Sequence, residues 1–175
     1  MTARQKEVSD AIAGGPRGGV RGPFLALIHH PDLAESVPQL GEHLRFGTTL
    51  SAALTEMAIL MTARRWNAQY EWFAHERIAR NTTDLPDHII RAIQSGRIPD
   101  NMTPEQQAVF DFVLSAQKYG APTDAAYDEA LKLFGRQGIL DLLCTTGYYT
   151  MIAMVLNTAK IPLPDGAATP LREAP

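Results

Sequence analysis

Cysteine is nearly absent: Cys144 is the only one in 175 residues. A single thiol excludes an intramolecular disulfide and any thiol-rich metal site. It sits in the apolar run 139–156, where a small apolar thiol is expected to be buried and inert. An excess of one charge is also missing, since 16 Lys plus Arg face 19 Asp plus Glu. Nucleic-acid binding needs clustered basic residues, so no nucleic-acid partner is expected. Thr145, Thr146, Tyr148, Tyr149 and Thr150 interrupt the longest apolar segment, leaving it short of the ~20 residues of a membrane span. The first residues hold no continuous apolar stretch of the signal-peptide kind. Together these absences lead to the expectation of a cytoplasmic protein with no membrane partner.

What is present is ordinary globular composition, with 45% hydrophobic and 20% charged residues. A chain of this length buries roughly two-thirds of its unfolded surface and needs no staple. Helix signals recur and strand signals do not. A short helix is expected over 2–13, ended by Gly14-Gly15-Pro16. Residues 14–23 form a Gly/Pro-rich arm, and 24–28 are short and apolar. Pro31-Asp32 opens a helix to about Phe46, with Pro38 as a kink or break. Ser51 caps a helix whose Leu54, Met57, Ala58 and Met61 share one face. That helix ends near Arg64-Arg65-Trp66. A second runs from about Asn67 to Arg80, and Asp84 caps a third carrying Ile89, Ile90 and Ile93. Thr103-Pro104-Glu105-Gln106 reads as a capping box opening a helix that stops at Gly120. Thr123-Asp124 starts another through Phe134. The last helix, 139–159, is apolar on most faces and is expected to lie centrally. The expectation is a single-domain, all-α array of seven or eight helices. An N-terminal helix and arm occupy 1–23, the helical domain 24–164, and an extended tail 165–175.

The chemistry concentrates in two successive helices. Their short connection makes an antiparallel hairpin, and residues equidistant from the turn face each other. With the turn at Arg65-Trp66, Glu56 falls opposite His75. Glu71 precedes His75 by one helical turn, on the same face. Two carboxyl groups and an imidazole therefore converge. A neighbouring carboxylate orients the ring, and a second carboxyl in the same space favours keeping one proton. That supplies an acid and a base without a cofactor. Proton transfer at carbon next to a carbonyl suits such a pair, as does decarboxylation, which leaves an enolate to be protonated. A solvated Glu–His pair on an exposed face would give the same spacing. A metal site is the weaker rival because the cluster has one histidine. No metal and no cofactor are expected.

The runs Leu54-Thr55-Glu56-Met57-Ala58-Ile59-Leu60 and Trp66-Asn67-Ala68-Gln69-Tyr70-Glu71-Trp72-Phe73-Ala74-His75, followed by Ile78-Ala79, resemble the carboxymuconolactone decarboxylase-like family of the alkylhydroperoxidase-like superfamily. The resemblance covers Ser51–Ile93 well and Gly22–Pro164 more loosely. In the peroxidase branch a Cys-x-x-Cys pair precedes the histidine. Here Ala68 and Glu71 stand at those positions, so dithiol peroxide chemistry has no resolving thiol. The resemblance implies a cofactor-free lyase or isomerase with Glu71 and His75 as proton-transfer groups and Glu56 as their positioner. It also implies trimers or hexamers.

Around this cluster Tyr148 is a candidate to hydrogen-bond a substrate carbonyl. Arg45, Arg64 and Arg65 are candidates for holding a substrate carboxylate. Trp66 and Trp72 stand beside the cluster as candidate substrate-binding residues, although packing is the commoner use of tryptophan. His29-His30 reads as a loop pair at a helix start. The expected partner is a small carboxylated or lactone-type metabolite. The alternatives are a redox protein using Cys144 with an external thiol, and a non-catalytic metabolite-binding module.

Overall fold

The computed structural model describes residues 1–14 and 19–172. Parts of the expected arm and tail, residues 15–18 and 173–175, lie outside the described residues. Among the described residues there are eight helices and no strand, as the absence of strand signals required. They are α1 (Ala3–Gly14), α2 (Phe24–Leu27), α3 (Pro31–Phe46), α4 (Ala52–Arg65), α5 (Gln69–Thr82), α6 (Asp87–Gln94), α7 (Pro104–Tyr119) and α8 (Asp124–Thr158).

The capping signals act as read. The Ser51 hydroxyl accepts from Leu54 N at 3.3 Å. Thr103 and Gln106 form the reciprocal capping box. Two starts shift, each for a backbone reason. Asn67 adopts a left-handed conformation (φ 48°) and closes α4, with Ala68 N donating to Ala63 O; asparagine tolerates that region better than most residues. Helix α5 therefore begins at Gln69. Helix α6 begins at Asp87 and not after Asp84, because Pro86 disfavours helical backbone at the residue before it and is itself extended. Pro38 stands inside α3 without ending it. The helices expected at 124–134 and 139–159 are one run, α8, broken at Gly135 (φ 66°, ψ −176°), a conformation open in practice only to glycine.

The central helix is α4, not the C-terminal half of α8. Every residue of α4 from Ala53 to Ala63 is buried, against α5, α6, α7 and α8. Helix α8 packs on α4 and α7 but leaves Leu140, Leu143, Cys144, Met151 and Met154 exposed along one side. The expectation that Cys144 is buried is thus corrected: apolar neighbours in sequence did not place it on the inward face. By length and composition α8 is apolar enough to cross a membrane, which its interrupting Thr and Tyr residues had argued against, yet half of its most apolar stretch is buried in the fold.

The core has two parts. One gathers α4, α6 and α7 around Trp72, Phe112 and Leu142. The other joins α1, α2 and α3 to α8 around Leu44, Ile59, Tyr148 and Tyr149. The tail is anchored: Leu171 is buried, and its backbone N and O pair with the Gln69 side chain at 2.9 Å each.

Candidate functional site

A cavity of about 400 Å³ opens between α3, α5, α8 and the arm before α2. The hairpin of α4 and α5 supplies its chemistry. Glu56 points from the central helix toward α5, and its Oε2 lies 2.7 Å from His75 Nδ1. Both are buried, at 4% and 8% exposure. The equidistance argument from the turn therefore holds at the level of a hydrogen bond. Committing Nδ1 to Glu56 fixes the ring and leaves Nε2 as the nitrogen available to the cavity that His75 lines.

Glu71 lines the same cavity at 3% exposure, and its Oε2 has no hydrogen-bond partner. Burial holds its carboxyl well above the ordinary carboxylate range, because a charge in that position loses its water without a compensating donor. Burial thus favours the protonated, neutral form of Glu71. No hydrogen bond joins it to His75 among the described residues. The two carboxyl groups differ by environment: Glu56 holds the imidazole, whereas Glu71 is buried with its Oε2 unpaired.

The wall opposite is aromatic. The Tyr149 ring meets His75 edge-on, with centroids 5.0 Å apart, and Tyr148 meets Tyr149 at 5.2 Å. Burial raises the Tyr149 phenol well above its usual value, while Arg45 pulls it the other way. Tyr148 lines the cavity as expected. Its hydroxyl lies so close to Gly41 of α3 that a Cβ there would overlap it. Arg45 also lines the cavity; its Nε is buried without a partner, and it makes no ion pair among the described residues. It is a cation held ready for an anionic group.

Trp66 and Trp72, both expected near substrate, do not reach the cavity. Trp72 is fully buried in the α4–α7 core with its indole N–H donating to Glu76 at 2.9 Å. Trp66 lies at the hairpin turn, half-exposed, donating to Thr150 Oγ1 at 3.1 Å. Helical rotation explains this: Trp72 follows Glu71 by one position and so turns away from the cavity face. Arg64 and Arg65 sit elsewhere too, beside a separate cavity. His30 caps α3 only by position, with no side-chain hydrogen bond. Three contributors were not singled out from the sequence: Arg21, Tyr70 and Phe24 all line the cavity. Arg21 and Phe24 flank a glycine-rich arm that carries no periodicity to read. Cys144 does not line it, and no group of three or more His, Cys, Asp or Glu among the described residues is arranged to hold a metal ion.

Compared with known proteins, the chain matches no family model and no curated sequence.

Proposed function

We propose that the protein is a cofactor-free lyase or isomerase of the carboxymuconolactone decarboxylase type, acting on a small carboxylated or lactone-type metabolite. The observation that carries this is a buried imidazole oriented by Glu56 on the same cavity wall as a second buried carboxyl, Glu71, whose ionisation burial disfavours. With Nδ1–H donated to Glu56, the Nε2 of His75 is the base. It takes a proton from carbon next to a carbonyl, and the electron pair moves into the carbonyl to give an enolate. In a decarboxylation the carbon–carbon bond supplies that pair instead, and carbon dioxide leaves. In either case Glu71 delivers a proton to the resulting enolate. Arg45 holds the substrate carboxylate, and the exposed Arg21 at the mouth adds a second cation. The aromatic wall of Tyr148 and Tyr149 limits water around the developing charge.

The same reading carries a homo-oligomer, a trimer or hexamer by the resemblance. It is supported by the side of α8 bearing Leu140, Leu143, Met151 and Met154, a contiguous apolar face that monomers seldom leave in water. The reading also carries a cytoplasmic location, supported by the burial of half of α8's most apolar stretch. A second reading, thiol-linked redox with an external partner, is favoured only by the exposure of Cys144. A third is a binding module for an acidic metabolite.

The test is turnover of a panel of small carboxylated lactones and keto acids, followed by carbon dioxide release and by deuterium exchange at the carbon next to the carbonyl. Replacing His75 by Ala or Glu71 by Gln is expected to lower turnover by ~10²–10⁴. Turnover unchanged in both variants contradicts the assignment, and tight binding without product supports the module.

A further inference from the structure

We propose that a second cavity, at the turn end of the α4–α5 hairpin, binds a small carboxylate bearing an apolar tail. This cavity, of about 180 Å³, lies where the last turn of α4 meets the ends of α6 and α7, and it shares no lining residue with the one above. Three arginines line it, Arg64, Arg65 and Arg97, the Arg65 guanidinium also lying over the Trp66 ring. None of the three makes an ion pair among the described residues, and no acidic side chain lines the space.

Arg64 is the centre of the site. Its Nε and Nη1 are both enclosed and both lack an acceptor. Enclosed donors of a permanent cation are costly to leave unmatched, and a carboxylate, with two acceptor oxygens and the opposite charge, matches them. The backbone builds the pocket around this group. Gly96 closes α6 in the left-handed conformation (φ 70°), with Arg97 N donating to Ala92 O at 2.9 Å, a helix-ending pattern that reverses the chain. A Cβ on Gly96 would stand 3.7 Å from Arg64 Nη2, so the turn lies directly against the guanidinium and carries Arg97 and Ile98 over it.

The remaining wall decides the ligand class. Ile98 is 69% exposed and Leu114 is 46% exposed, with buried Phe110 behind them. A bare inorganic anion would satisfy Arg64 and leave these side chains in water. A ligand with an anionic head and a short aliphatic tail covers both, gaining area removed from water in addition to the charge pairing.

Hexanoate is the probe, titrated into the full chain by equilibrium binding and by amide NMR of Gly96 and Arg97, with acetate and hexanol alongside. Saturable hexanoate binding that shifts the Gly96 and Arg97 amides is expected. Because a hydrogen-bonded charge pair is lost, Arg64→Met should weaken it by about tenfold or more. The exposed Arg97→Met, which leaves no buried group behind, should weaken it in the same direction. Arg45→Met should leave the Gly96 amide titration unchanged, which separates this site from the larger cavity. Acetate and hexanol should each bind at least about tenfold more weakly than hexanoate. A Gly96 amide titration that survives in both Arg64→Met and Arg97→Met overturns the proposal, as does one lost only in Arg45→Met. Acetate binding as tightly as hexanoate overturns the apolar half of it.

Discussion

Replacing Glu71 by Gln perturbs one proton and little volume, and its effect on stability has a fixed sign. The native state holds the Glu71 proton to higher pH than the unfolded chain, where the group returns to its ordinary value of 4.5. Between those two values the folded protein binds one more proton than the unfolded one. Stability from this group is therefore complete below the unfolded value and falls as pH rises toward the folded one. The slope in that window is about 1.4 kcal/mol per pH unit for a full proton difference. Glutamine is neutral at every pH and has no such slope. The raised Tyr149 phenol titrates above this window, and groups common to both proteins cancel in the difference. Urea unfolding of wild type and Glu71→Gln should be followed in steps from about pH 5 to pH 8. The two stabilities should diverge with rising pH, the variant becoming the more stable partner at the alkaline end. Parallel curves would refute the raised, buried Glu71 carboxyl on which the chemistry relies.

Two further outcomes follow from packing. Gly41→Ala would ordinarily stabilise a helix interior by about 1 kcal/mol, but the new methyl overlaps the Tyr148 hydroxyl; overpacking of ~1–3 kcal/mol should win, read as a lowered urea midpoint, and a raised midpoint contradicts the close approach. Cys144, exposed on the single chain, should be alkylated in a dilute, verified monomer at a rate near that of the unfolded chain, and protection there would contradict its placement.

The hairpin was legible because its signals are local and agree. Ser51 fixes where α4 starts, the short connection fixes its direction, and the spacing of Glu56, Glu71 and His75 then needs only a helical period. The Glu56–His75 contact is that inference carried to atomic distance. What failed were questions of which way a face turns. Trp72 adjoins Glu71 in sequence, yet one residue of helical rotation sends it into the core. Cys144 sits in an apolar run, yet apolar on most faces is not the same as buried on most faces, and α4 took the centre instead. Arg21, in the arm, and Phe24, at the start of the short α2 that follows it, come to the cavity along a path that depends on tertiary contacts, so no periodicity announced them. The anchoring of Leu171 by Gln69 spans most of the chain and is likewise invisible to local pattern.

The nitrogen-15 NMR spectrum of the neutral form of the His75 ring tests the arrangement most directly. An imidazole held by Glu56 carries its proton on Nδ1, so Nδ1 should give a protonated-type signal and Nε2 an unprotonated one, and Glu56→Gln should disturb that pattern. A ring protonated on Nε2, or one averaging between tautomers as in free histidine, would contradict a base oriented toward the cavity.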